Sequence, residues 1–439
     1  MQKIKKNVTI ILLNNFRCIM LSNFLEFLQS PTAYHVCDKA KSFLLKNGFQ
    51  PLSEREDWEL EENGKYFVER NGTSIIAFTI GAFNDFSYKI VASHSDSPAL
   101  KLKENPVKSA EGYQSLNVEP YGGGIWNSFL DRPLKIAGRV IVKREGKLCF
   151  ENVEAPFLVT IPSVAIHQNR SVNQGVAINE QVDLLPLLSL KDGKDFMEKL
   201  CNGEVVSHDL YVVNADTPYS FGVNGEFLAS PRIDNITGVS ASLESLVSSN
   251  NQGICIAAIF DNEEVGSRTM QGAAGNFLET VLKRIAYALR FDENEYCKAL
   301  ASSFLLSVDN GHALHPNHPE KTDPTNRPVM GGGVLLKSHS QKAYTTDGVS
   351  SAIVKTLFEN ANVKYQTFFN RSDAKSGSTL GVSALSSVSI FSADVGLAQL
   401  AMHSACECMA KSDYSELVHG ISALFESNVQ ISETEIEIF

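Results

Sequence analysis

The run Ile254-Cys255-Ile256-Ala257-Ala258-Ile259-Phe260 is apolar without interruption and ends abruptly in Asp261-Asn262-Glu263-Glu264. A strand covered on both faces reads this way, because neither set of alternating side chains meets water. Comparable runs at 73–80, 86–92 and 303–308 predict further buried strands. Segments 22–30 and 34–47 carry helical spacing. From 231 onward the pattern alternates. It predicts helix 236–249, strand 253–260, helices 272–289 and 293–302, strand 303–308, helix 347–361, strands 364–369 and 387–392, and helix 397–410. Between 101 and 227 the texture differs. Short alternating stretches (134–143, 148–150, 157–161, 209–213) separated by turn residues predict strands, with helical spacing only near 190–200. The pattern therefore predicts one discontinuous α/β domain, 21–100 plus 228–439, with a β-rich domain, 101–227, inserted into it.

Composition narrows the function classes. The chain has 439 residues, 43% hydrophobic, enough for a large core and more than one simple domain needs. Its formal charge of −11 disfavours nucleic acid and anionic membranes as partners. No stretch is long enough to span a bilayer. The eight cysteines are scattered without a CxxC pair, which predicts reduced thiols and a cytoplasmic setting. Cys406 and Cys408 lie near a histidine of interest, and the reading preferred for them is small buried residues on a helix. Residues 1–20 form an extension of unclear status: the apolar part is too short for a secretory segment, and Met20 is an alternative start.

The chemistry gathers where apolar runs stop. His94 and Asp96 follow one strand, Glu263 and Glu264 another, and Asp309 a third; Asp234 opens a helix and His403 follows the 387–392 run. Loops at the carboxyl ends of a parallel sheet share one edge, so residues distant in sequence converge there. Each has an ordinary alternative, Asp234 as a helix cap or Asp309 as a turn residue. Together, two imidazoles and three carboxylates exceed the needs of one catalytic zinc and suit two ions sharing a carboxylate. Asp234 is the natural bridge. Of the adjacent acids, one is placed to hold metal and the other to take a proton from the attacking water. Asp96 is placed to accept the second N–H of His94 and fix its tautomer. Lys337, ending the apolar 334–337 run, is a candidate for meeting an acidic substrate side chain, and Tyr344 is a second candidate substrate contact. The Gly122-Gly123-Gly124 and Gly331-Gly332-Gly333 runs lack the phosphate-loop pattern.

Several stretches carry a resemblance: Ala92-Ser93-His94-Ser95-Asp96-Ser97-Pro98, Tyr121-Gly122-Gly123-Gly124-Ile125-Trp126, Ile161-Pro162-Ser163-Val164-Ala165-Ile166-His167, Ser230-Pro231-Arg232-Ile233-Asp234-Asn235, Asp261-Asn262-Glu263-Glu264-Val265-Gly266, Asp309-Asn310-Gly311-His312 and Met402-His403-Ser404. From about Phe24 to His419 the chain resembles the aspartyl aminopeptidase family of co-catalytic zinc exopeptidases. The resemblance implies a mixed α/β sheet flanked by helices, with an inserted β-rich dimerisation domain. It implies two divalent ions, zinc foremost with cobalt or manganese as alternatives. One is held by His94, Asp234 and Asp309, the other by Asp234, Glu264 and His403. Glu263 is the implied general base and Asp96 the residue orienting His94. His167 is implied to contact substrate across a dimer, dimers to assemble into a dodecamer, and the substrates to be peptides beginning with Asp or Glu. The segment 371–379 departs from the family pattern through Lys375, which bears on specificity. The rivals are a neutral or broad aminopeptidase, a two-metal amidase and an inactive scaffold protein; the intact acids argue against the last.

Overall fold

A computed structural model describes residues 20–82, 86–190, 193–432 and 434–439; the expected extension before Met20 lies outside them. Four strands come first: β1 (Gln50–Leu52), β2 (Lys65–Arg70), β3 (Ser74–Ile80) and β4 (Tyr88–His94). The next six are β5 (Ala99–Ala110), β6 (Tyr113–Tyr121), β7 (Leu134–Arg144), β8 (Lys147–Val159), β9 (Leu187–Ser189) and β10 (Glu204–Asn214). They form their own sheet in the order β8-β7-β10-β5-β6-β9. The chain then re-enters the first sheet through β11 (Tyr219–Phe221) and β12 (Phe227–Ser230). The remaining strands of that sheet are β13 (Ile254–Phe260), β14 (Phe304–Val308), β15 (Gly311–His312), β16 (Val334–Lys337), β17 (Tyr365–Phe368), β18 (Phe391–Leu400) and β19 (Glu407–Ala410). Its main path is β1-β2-β3-β13-β4-β14-β18-β19-β12-β11.

The uninterrupted apolar runs occupy the middle of this sheet. β13 pairs parallel with β4, β4 with β14, and β14 with β18. Every residue of β4, β13 and β14 is buried. Successive side chains serve different cores: Cys255, Ala257 and Ile259 join one cluster, and Ile254, Ile256, Ala258 and Phe260 the other. Helices cover the first face through residues such as Val36, Ala40 and Leu44, or Leu417, Ile421 and Leu424. The helix Phe277–Ala288 covers the second with Phe277, Leu278, Val281, Leu282 and Ile285, an i, i+1, i+4, i+5, i+8 stripe. The smaller sheet has its own cluster around Leu100, Val118, Ile136, Val140, Leu210 and Val212. No helix among the described residues is long and apolar enough to cross a membrane.

The fold is the expected mixed α/β sheet with flanking helices, but three elements differ. Residues 397–410 are not a helix. The chain stays extended through Leu400, turns, and returns antiparallel as β19. Helical spacing misleads here because Phe391–Leu400 is buried on both faces and so lacks a period of two. The expected strand 387–392 begins only at Phe391, and the expected helix 272–289 only at Phe277. The segment before that helix is a turn in which Ala274 donates back to Ser267 O. Cys408 accordingly sits in a strand, with Cys406 just ahead of it.

Candidate metal centre

Three central strands stop at the same edge. In the sheet register Phe260 lies opposite His94, and Val308 opposite Val395. Their successors therefore emerge together, and their side chains meet. His94 Nε2 lies 3.5 Å from Asp234 Oδ1 and 3.6 Å from Asp309 Oδ1. On the other side, His403 Nε2 is 3.5 Å from Asp234 Oδ2 and 3.4 Å from Glu264 Oε1. Asp234 thus presents one oxygen to each histidine, the disposition of a carboxylate shared between two sites.

Asp234 reaches this point from a break at the helix start. Residues 234 and 235 depart from helical geometry, and the peptide between them is cis. Asn235 donates to Val308 O at 2.6 Å, tying this turn to the end of β14. Asn310 donates to Ile233 O, Thr237 Oγ1 and Gln399 Oε1 and accepts from Leu397 N, so the Asp309 loop is locked to both neighbours. Gly396 is needed in β18 because a Cβ there would overlap the Asp309 carbonyl. His403 lies in the turn after β18 with φ +64°, a left-handed conformation uncommon outside glycine.

Asp96 does more than orient an imidazole. Its carboxylate accepts the backbone N–H groups of Glu263 and Glu264, each at 3.1 Å, and the Tyr121 hydroxyl at 2.8 Å. The short 3₁₀ turn Glu263–Val265 thereby has two otherwise unpaired donors satisfied by the buried side chain of Asp96. His94 Nδ1 lies 3.1 Å from Asp96 O and 3.4 Å from its Oδ1. Asn262, itself at φ +62°, donates to the Tyr121 oxygen and accepts from Thr269 and Gln271.

Burial dominates the electrostatics. It pushes the Glu263 carboxyl up to about 8, with Asp309, Asp96 and Asp234 adding to the rise and His94 opposing it. Burial also carries Glu264 well above the usual carboxylate range. For His403 burial favours the neutral ring, yet the Asp234 and Glu264 carboxylates outweigh it and lift the imidazole to about 10. His94 is raised for the same reason by Asp234, Asp309 and Asp96. Asp234, against its own burial, is held low by the two histidines. So many crowded acids and imidazoles form a set whose charges need a counter-charge among them.

The donor set fits divalent cations. Three groups of potential ligands converge: His94, Asp234 and Asp309; Asp234, Glu264 and His403; and His94, Glu263 and Glu264. Asp234 Oδ1 and Glu264 Oε1 are buried without a hydrogen-bond partner, although such atoms are normally satisfied. Donor atoms bound to one zinc at about 2.0–2.1 Å in a tetrahedron are roughly 3.3–3.4 Å apart, close to the separations here. Neither Cys406 nor Cys408 belongs to any of these groups among the described residues.

The other expected residues lie outside the cluster. Lys337 is 1% exposed, and its ammonium donates to Asp309 O, Asn310 O and Asp309 Oδ2 at 2.9, 3.0 and 3.4 Å. It therefore braces the loop of a candidate ligand. The Tyr344 ring lies 4.9 Å from the same ammonium. His167 is exposed, on a loop following β8. Sequence reading gave no role to Tyr121, Glu407 or the Gly123 carbonyl, which lies 2.9 Å from His403 Nδ1. For Glu407 the signal was an acid between Cys406 and Cys408 in an otherwise apolar stretch.

Residues 27–425 match the model of the aminopeptidase I zinc metalloprotease family, M18. A probable M18 family aminopeptidase 2 of Clostridium novyi is 40% identical, covering 90% of this chain and 95% of that one. A probable aspartyl aminopeptidase of Ricinus communis is 34% identical, covering 92% and 94%. Among solved structures, the mApe1 dodecamer of S. cerevesiae is 29% identical with a TM-score of 0.79, covering 94% and 97%.

Proposed function

Since this chain belongs to the M18 family of zinc aminopeptidases and is a hydrolase of peptide bonds, we propose that it removes the first residue of peptides at a centre for two divalent ions. The observation that carries this reading is Asp234, with one oxygen toward His94 and the other toward His403. His94, Asp234 and Asp309 would hold one ion, and Asp234, Glu264 and His403 the second. When bound, such ions supply Lewis acidity toward the scissile carbonyl and ease deprotonation of water. The protein's own groups do the rest. Glu263, fixed through its N–H on Asp96, takes the proton of the attacking water on its carboxylate and delivers it to the departing amine nitrogen. Asp96 also holds His94 with Nε2 directed at Asp234 and Asp309. The test is Glu263→Gln, which keeps shape and removes the proton acceptor. We expect bound zinc to be unchanged and turnover to fall by about 10²–10⁴; wild-type turnover would remove Glu263 as the base.

A preference for amino-terminal Asp or Glu is part of the proposal. Its support is the naming of the Ricinus relative; Lys337, buried and bonded to Asp309 and Asn310, adds none. Faster hydrolysis of Leu-anilide than of Asp- or Glu-anilide would favour the broad-specificity reading. The smaller sheet is proposed as a dimerisation unit carrying His167 toward a neighbouring subunit, in a dodecamer like that of the yeast protein. Val164 and Ile166, just before His167 in the chain, expose 59% and 48% of their surface, as residues awaiting a partner do. Reduced cysteines fit a cytoplasmic location.

A further inference from the structure

Glu407 is the first residue of β19, paired with Ser230 of β12, and is 2% exposed. Its two oxygens do different things. Oε2 accepts the backbone N–H of Asp234 at 2.9 Å, and Oε1 accepts the backbone N–H of His403 at 2.6 Å. These two residues are separated by most of the catalytic half of the chain, yet their side chains meet at 3.5 Å. Neither backbone is held by regular structure at that point. Asp234 lies in the non-helical start of its helix, and His403 is left-handed in a turn that also contains left-handed Ala401.

We infer that Glu407 is a positioning residue that sets the spacing between Asp234 and His403 and thereby the affinity of the second ion site; this rests on the two-ion reading above. A single carboxylate accepting one N–H from each residue fixes both backbones to one rigid planar group. The backbones from which Asp234 Oδ2 and His403 Nε2 reach one another are then held at a set spacing. His94 and Asp309 make no hydrogen bond to Glu407, so the first site loses less when Glu407 is changed. Outer groups that orient ligands commonly change metal affinity 10–100-fold when removed.

Two variants test this. Glu407→Gln keeps volume but turns an N–H₂ donor toward one of the two backbone N–H groups; Glu407→Asp keeps the carboxyl group and shortens the reach. Each is titrated with zinc in a metal buffer, counting ions bound per chain, with thermal melting recorded in excess chelator and in saturating zinc. Wild type is expected to take two ions. In both variants one of the two ions is expected to dissociate at 10–100-fold higher free zinc, the other to change less than threefold, and the zinc-induced rise in melting temperature to shrink. If both variants bind two ions with wild-type affinities and only melt lower with and without zinc alike, Glu407 is structural and the inference fails. If wild type itself binds fewer than two ions, the two-ion reading fails first, whatever the variants do.

Discussion

Replacing Asp96 with Asn removes one acceptor oxygen and leaves the shape unchanged. In the native site Oδ2 serves two donors, Glu264 N–H and the Tyr121 hydroxyl, while Oδ1 serves Glu263 N–H and faces His94 Nδ1. The better placement of the amide keeps its oxygen on the doubly used side. Its N–H₂ then points at the Glu263 N–H, donor against donor, in a site where Asp96 is 4% exposed. A buried donor deprived of its acceptor costs about 1–3 kcal/mol. If that cost falls on the placement of the Glu263–Glu264 turn, kcat/KM drops by about 5–150-fold. The assay is steady-state hydrolysis of an amino-terminal anilide at saturating zinc, with bound zinc measured on the same sample. Loss of rate with both ions retained is the expected result. A variant keeping more than half of wild-type kcat/KM would refute the claim that Asp96 sets the position of the base.

Three further outcomes follow from the same geometry. In excess chelator the protein should lose melting temperature as pH rises from 5 to 9. Glu263 and Glu407, both near 8, and Asp261, near 7, are raised by burial. Their stabilising contribution is complete below the ordinary carboxylate range and vanishes as pH climbs through those values; zinc should flatten the trend, and a rising melting temperature would contradict it. Lys337→Met should remove the brace of the Asp309 loop and lower hydrolysis of Asp- and Leu-anilide alike; a loss at least tenfold larger for Asp-anilide would instead make Lys337 a reader of the substrate side chain. Gly396→Ala should destabilise by about 1–3 kcal/mol or prevent folding, since its methyl meets the Asp309 carbonyl; unchanged urea denaturation would exclude that clash.

The parts of the site readable from sequence are those following a continuous apolar run. β4, β13 and β14 are buried on both faces, so they announce themselves, and His94, Glu263, Glu264 and Asp309 follow directly. The surroundings of His403 were less legible. Phe391–Leu400 is mixed with small residues, and the four-residue step from His403 to Glu407 imitates a helix turn. In the fold that step closes a hairpin, with the Glu407 side chain on the His403 N–H. Tyr121 was hidden for a different reason. It belongs to the smaller sheet, and only the packing of β6 against the Asn262 turn brings its hydroxyl to Asp96. Contacts made across sheets leave no periodic trace along the chain.

That crossing has a consequence for any attempt to shorten the protein. Excising residues 99–214 to obtain a minimal hydrolase would delete the phenol that steadies Asp96 and the carbonyl that fixes the ring of His403. The pruned molecule would keep every candidate ligand and lose the outer contacts of Asp96 and His403, so the inserted segment buttresses the candidate metal centre and is no detachable accessory.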